Sequence, residues 1–286
     1  MKFLFVIIVA LSLVACASSP VRLTDDRLLP AITKLFAAPG MPLVDAPSTA
    51  KSVVYASMKY SGDLGLDIYY PAGYDFHSPK PFIVLANGIE NEEQIEAADG
   101  APFKDLAMTV SWAMAFAASG YPAVTYDSFE KLQGGGGAET APASTERLLD
   151  FLKQNEDLLG IDSSRIGFYS MGGTARGLQR SLAGINVTRQ GRVRCAVFNG
   201  AVLDPEVFPR QKMPVLIIRP ALASPAIVFV IDDWAAELKD RGFNVEVHNN
   251  PSGTYNYDTA IDNADTRKAI AKILAFFDEH LRRAIE

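Results

Sequence analysis

From Ser52 onward two kinds of apolar pattern alternate along the chain. Short continuous runs such as "PFIVLANG" (81–88) and "VRCAVFNG" (193–200) end in Gly and read as strands buried on both faces. "RIGFYSM" (165–171), "MPVLIIRP" (213–220) and "NVEVHNN" (244–250) are of the same kind, and "YPAVTYDS" (121–128) adds another. Between them lie stretches with helical apolar spacing. "DLAMTVSWAMAFAASG" (105–120) predicts an amphipathic helix closed by Gly120. "STERLLDFLKQNEDLLG" (144–160) has a Ser/Thr start, Glu146 early and Gly160 after it, the marks of one capped helix. "TARGLQRSLAG", "VIDDWAAELKDRG" and "ADTRKAIAKILAFFDEHLRRAI" complete the set. The first two strands, "SVVYASMKYS" and "GLDIYYPAG", form a hairpin around Gly62-Asp63. Strands alternating with helices predict an α/β protein: a mostly parallel sheet flanked by helices on both faces, with an antiparallel N-terminal hairpin.

The first 51 residues break this rhythm. "MKFLFVIIVALSLVAC" carries Lys2, an apolar run from Phe3 to Ala15, then Cys16. A run of about 13 residues is short for a membrane span and suits a signal h-region. Residues 16–51 are punctuated by Pro20, Pro30, Pro39, Pro42 and Pro47, with "AITKLFAA" as one short helix, and read as a tether and lead-in. The chain thus divides into a signal peptide (1–15), a tether (16–51) and one α/β domain (52–286).

"LVAC" resembles the lipobox of bacterial lipoproteins. That resemblance implies cleavage before Cys16, acylation of Cys16 and attachment to a lipid bilayer. With Ala17 rather than Asp next, it implies the outer membrane facing the periplasm if the cell has one. The other reading of the same residues is an ordinary cleaved signal followed by a chance cysteine.

Composition narrows the chemistry. The formal charge is −6, and loss of Lys2 with the signal takes it to −7. Nucleic-acid binding needs clustered Lys and Arg, so it is not expected. No His/Cys group has metal-ligand spacing, and no cofactor motif is present. The Gly134–Gly137 tetrad lacks the Lys-Ser/Thr of a phosphate loop and reads as a flexible loop at a site rim. Cys195 is the one thiol left if Cys16 is acylated, and it lies in a buried strand as an inert core residue.

"SRIGFYSMGGTARG" (164–177) is the stretch with chemical promise, a serine near glycines between a strand and a helix. Together with "DIYYPAG", "VLANG" and "LLGIDSSRIG", it resembles the α/β-hydrolase fold, closest to its dienelactone hydrolase-like and acyl-esterase-like members. The resemblance covers about Ser52 to the C-terminus. In such proteins the nucleophilic serine follows the arginine of "RIG" by seven residues. Counted from Arg165, that place is Gly172. The tight strand–helix turn needs small residues two places either side, and Ser170 and Thr174 satisfy this. With Ser170 at the apex instead, Phe168 would occupy a glycine's place.

The other two members follow the same pattern. The acid's place in "RPALASP" (219–225) is Ala223, with Asp204 as a substitute. The histidine's place in "PSGTYNYD" (251–258) is Tyr255, a poor base at neutral pH. His248 and His280 read as structural or surface residues. Asn87-Gly88-Ile89 stand where the fold supplies an oxyanion-hole amide, or form a plain turn. The resemblance therefore implies a lipid-anchored hydrolase-like protein, without catalytic activity, whose triad places are Gly172, Ala223 and Tyr255 and whose role in the cell envelope is to bind a ligand or a partner, a small carbonyl- or carboxylate-bearing molecule being the candidate ligand. The alternative is a serine hydrolase of esterase or dienelactone hydrolase type using Ser170. A third reading has Tyr255 giving a proton to a bound anion.

Overall fold

Alternation along the chain becomes layering in space. A computed structural model describes residues 43, 53–62, 64–86, 102–127, 141–184, 193–201, 203–254, 258 and 261–282. Its strands are β1 (Val54–Ser61), β2 (Leu64–Tyr70), β3 (Lys80–Leu85), β4 (Ala123–Tyr126), β5 (Ile161–Met171), β6 (Val193–Asn199), β7 (Val215–Pro220) and β8 (Val245–Asn250). They form one 8-stranded sheet in the order β1-β2-β4-β3-β5-β6-β7-β8. β1 and β2 pair antiparallel, as do β2 and β4, and every other pairing is parallel. The carboxyl ends of β3 to β8 therefore share one edge of the sheet.

The continuous apolar runs have a direct cause. Phe82 and Val84 of β3 enter one core, and Ile83 and Leu85 enter the other. Side chains alternate across a strand, so a sheet covered on both faces needs apolar residues at every position. Residues of α2 (Ala141–Gln154), α4 (Ala175–Gly184) and α5 (Pro225–Asp240) fill the first core. Those of α1 (Ala107–Ala118) and α6 (Ala264–Arg282) fill the second. Each large apolar side chain so buried contributes roughly 2 kcal/mol.

Three helix expectations need correction. The helix read as 144–160 starts at Ala141, breaks at Asn155 and resumes as the short α3 (Glu156–Leu159) before Gly160. Ser144 and Thr145 do not cap it but lie buried inside it, where Thr145 Oγ1 bonds the Tyr126 hydroxyl at 2.8 Å and Ser181 Oγ at 3.1 Å. These tertiary partners replace the local cap that the sequence suggested. At the break, the Asn155 amide donates to Phe151 O at 2.7 Å. α5 begins at Pro225, five residues earlier than read, because proline presets the helical φ at a first position after Ser224. α1 is buried round most of its circumference, Thr109 and Ser111 included, rather than along one stripe. Among the described residues, no helix is long and apolar enough to cross a membrane.

Candidate functional site at the carboxyl edge of the sheet

The strand–helix turn after β5 falls at Gly172. β5 runs extended to Met171 (φ −134°, ψ 144°), and Gly172 then takes φ +51° to open the 3-10 turn Gly172–Thr174. Only glycine adopts that region at no steric cost. Thr174 closes the turn on itself: the Met171 N–H donates to its Oγ1 at 3.1 Å, and its hydroxyl donates to Met171 O at 2.9 Å. A Cβ placed on Gly172 would meet no atom of the described residues within 4 Å. That side of the turn is open among the described residues.

Ser170 lies two residues back, inside β5. It is 1% exposed, and its hydroxyl donates to Val197 O of β6 at 3.3 Å. No imidazole adjoins it among the described residues. His248 sits within β8, paired with Ile218 and three strands from β5, about 14 Å away at the usual strand spacing. Burial, then the Lys272 ammonium, lowers the His248 pKa below its ordinary value. His280 packs edge-on against Phe276 in α6, and the exposed His77 gives its backbone N–H to Asp75 Oδ1. A serine hydroxyl without a base is a weak nucleophile. The Cys195 thiol is buried, and burial pushes its pKa far up, so it is inert as well.

Ala223 lies in the loop from β7 to α5 and donates its N–H to Pro220 O at 3.2 Å. That loop is bonded to the one leaving β8: Ala221 N–H to Asn250 O at 3.0 Å and Leu222 N–H to Gly253 O at 2.9 Å. Asp204, the substitute acid, is occupied in its own turn. Its carboxylate accepts from the Glu206 N–H at 3.1 Å, while Gln179 bonds its backbone on both sides. Leu222 and Phe229, 63% and 70% exposed, give this side of the edge an apolar surface. Tyr255, Asn87, Gly88, Ile89 and Cys16 lie outside the described residues.

Sequence reasoning missed two arrangements here. Arg219, leaving β7, forks onto Asp232 of α5 at 2.7 and 2.9 Å and also donates to Asn249 Oδ1 at 2.8 Å. Asp258, 1% exposed, accepts from the Trp112 indole N–H at 2.6 Å and from Asn199 Nδ2 at 3.4 Å; that same amide reaches the Tyr169 hydroxyl at 2.8 Å. The only signal for Asp258 was its place closing the Pro251–Asp258 stretch. Among the described residues, no group of three His, Cys, Asp or Glu is placed to hold a metal ion.

Comparison with solved structures gives this arrangement its context. Brefeldin A esterase, a bacterial homologue of human hormone-sensitive lipase, superposes with a TM-score of 0.62 at 15% identity, over 83% of this chain and 80% of its own. A bacterial heroin esterase gives 0.60 at 13% identity, over 91% and 98%. The thermophilic esterase 2 of the planctomycete Thermogutta terrifontis, with propionate bound, gives 0.60 at 15% identity, over 84% and 99%. The chain has the α/β-hydrolase fold. At these identities the likeness concerns architecture alone. No family model matches the sequence, and no curated protein matches it either. At the strand–helix turn after β5 this chain has Gly172.

Proposed function

We propose that this is a lipid-anchored, hydrolase-like protein of the cell envelope that binds a small carbonyl- or carboxylate-bearing ligand at the sheet edge without hydrolysing it. The observation that carries the reading is the pair Gly172 and Ser170. Among the described residues the turn position faces open space and carries no side chain, and the nearby hydroxyl is buried and bonded to Val197 O. Acid and base places read as Ala223 and Tyr255 complete the loss. Triad members act jointly, so what remains is binding and backbone stabilisation of an oxyanion. The anchor rests on "LVAC" after a short apolar run, and the net negative charge argues against a nucleic-acid partner.

The test is labelling with a fluorophosphonate probe alongside hydrolysis of short acyl esters. The wild type stays unlabelled and at background rate. Labelling that vanishes in Ser170→Ala but persists in Gly172→Ala would establish the serine hydrolase instead, a reading the esterase-like fold accommodates. Binding itself is followed by titrating propionate and butyrate against intrinsic tryptophan fluorescence. For the anchor, cells expressing the full chain incorporate labelled palmitate, and Cys16→Ser abolishes it; label that persists in the variant sinks the lipobox reading.

A further inference from the structure

Away from the elbow, a second polar cluster is buried where β4 reaches the same edge of the sheet. β4 is two strands from β5 in the order β4-β3-β5, about 10 Å across. Asp67 of β2 is 2% exposed and faces Thr125 of β4 in register. One step on, the Asp127 N–H donates to Gly65 O at 2.9 Å, continuing the ladder past the end of β4. The 3-10 turn Phe103–Asp105 lies over this corner and brings Lys104 and Asp105 to it. The Lys104 ammonium bonds Asp67 Oδ2 at 3.2 Å and Asp105 Oδ1 at 2.7 Å.

Glycine at 65 makes the gathering possible. A Cβ there would stand 3.2 Å from Asp127 Oδ2 and 3.2 Å from Lys104 Cε, so the carboxylate and the lysine stem close over bare backbone. β1 contributes the Ser57 hydroxyl, which donates to Asp67, and the Tyr60 hydroxyl, which donates to the Asp127 carbonyl. Tyr55 and Lys59 lie on the Ser57 face of β1, Lys59 opposite Gly65. Among the described residues the charges at this corner are thus Asp67, Asp105 and Asp127 against Lys104, with Lys59 at the margin.

Three carboxylates share one central ammonium, and the ammonium's hydrogen bonds go to Asp67 and Asp105. Among the described residues Asp127 is left with backbone, and its Oδ1 is buried without a hydrogen-bond partner. Thr125 Oγ1, fully buried two residues earlier on the same face of β4, has none either. A buried carboxylate oxygen lacking a donor is costly as an anion and much less so once protonated. We infer that Asp127 is a proton-binding site that fastens the Phe103–Asp105 turn to the end of β4, closed when the carboxyl is protonated and loosened when it ionises. A solvent proton adds to the carboxylate and no other bond forms or breaks. Ionisation takes the charge of the three carboxylates plus Lys104 from −1 to −2; Lys104 attracts the new charge while Asp105 and Asp67 repel it, and the cost of holding that charge out of water is what favours opening the turn. Burial foremost, with Asp105 and Asp67 adding, raises the Asp127 pKa to about 6 against the pull of Lys104 and the Gly65 hydrogen bond.

The experiment is a carboxyl carbon NMR titration of the full chain in detergent, with Asp127 assigned by its loss in Asp127→Asn, alongside amide hydrogen exchange of residues 103–106. The expected result is a midpoint near 6 and exchange at those amides about fivefold slower at pH 5 than at pH 7.5 after intrinsic correction. In Asp127→Asn that pH dependence disappears. Asp105→Asn, which removes a competing carboxylate, lowers the Asp127 midpoint. A wild-type midpoint near 4, or exchange that does not follow the titration, overturns the inference, and both are read on wild type even if a variant fails to fold.

Discussion

Two carboxylates near the same sheet edge, Asp258 buried and Asp127 half-buried, are accommodated in opposite ways. Asp258 receives neutral donors brought from distant elements, the Trp112 indole and the Asn199 amide. Asp127 shares a single ammonium with Asp67 and Asp105, and that ammonium bonds the other two. Around Asp258, donors depend on the carboxylate as acceptor; around Asp127, acceptors outnumber donors. The lesson is that burial alone does not decide the worth of a buried charge. The local balance of donors and acceptors does, because an unpaired partner on either side carries the desolvation cost.

The same substitution made at both places tests that contrast. Asp258→Asn gives up a charge-assisted acceptor and buries an amide N–H₂ where donors already converge, and should cost about 3 kcal/mol in urea unfolding. Trp112→Phe removes one donor and some volume from a fully buried site, and should cost about 2 kcal/mol by the same measurement. Asp127→Asn should move the other way, gaining about 1 kcal/mol at pH 8, after discounting for the part of the group that solvent still reaches. If both Asn variants shift stability in the same direction, the contrast is wrong.

The pH dependence has a definite sign. The folded Asp127 pKa, raised to about 6, lies above the unfolded value near 4, so the folded state holds the proton more tightly. Its contribution is fully present below pH 4 and is lost as pH rises through about 6. The difference between wild-type and Asp127→Asn stability should therefore change across that window and level off above it. Burial also raises Asp67, which adds in the same direction. The smallest expected effect is Thr125→Val. It replaces a partnerless buried hydroxyl by a methyl of the same shape and should be neutral or raise stability by roughly 0.5 kcal/mol, measured by thermal unfolding.

What the sequence carried, it carried locally. The strands were legible because a sheet covered on both faces writes itself as unbroken apolar runs. The turn at Gly172 was legible because the resemblance to α/β-hydrolases implies a spacing from Arg165, and because small flanking residues follow from strand and helix meeting closely. Lys104 gave no sign of meeting Asp67, 37 positions away, nor Trp112 of meeting Asp258, 146 positions away. Those meetings depend on strand order, with β4 lying between β2 and β3, which no periodicity records. Ser144 and Thr145 misled for a related reason: residues typical of a cap found partners in Tyr126 and Ser181 once the helix was packed.

On the proposed assignment of positions 223 and 255 as acid and base places, the hydrogen bonds joining the loops after β7 and β8 have a consequence for rebuilding catalysis on this frame. Ala221 and Leu222 hang from Asn250 and Gly253, so the loop holding position 223 takes its course from the backbone just ahead of position 255. The two are one piece of architecture. An acid installed at 223 alone would be aimed by a neighbour shaped for something else. A transplant from a working esterase should carry the whole cassette from Pro220 to Asp258, including the helix and strand between, so that both loops arrive already fitted to each other.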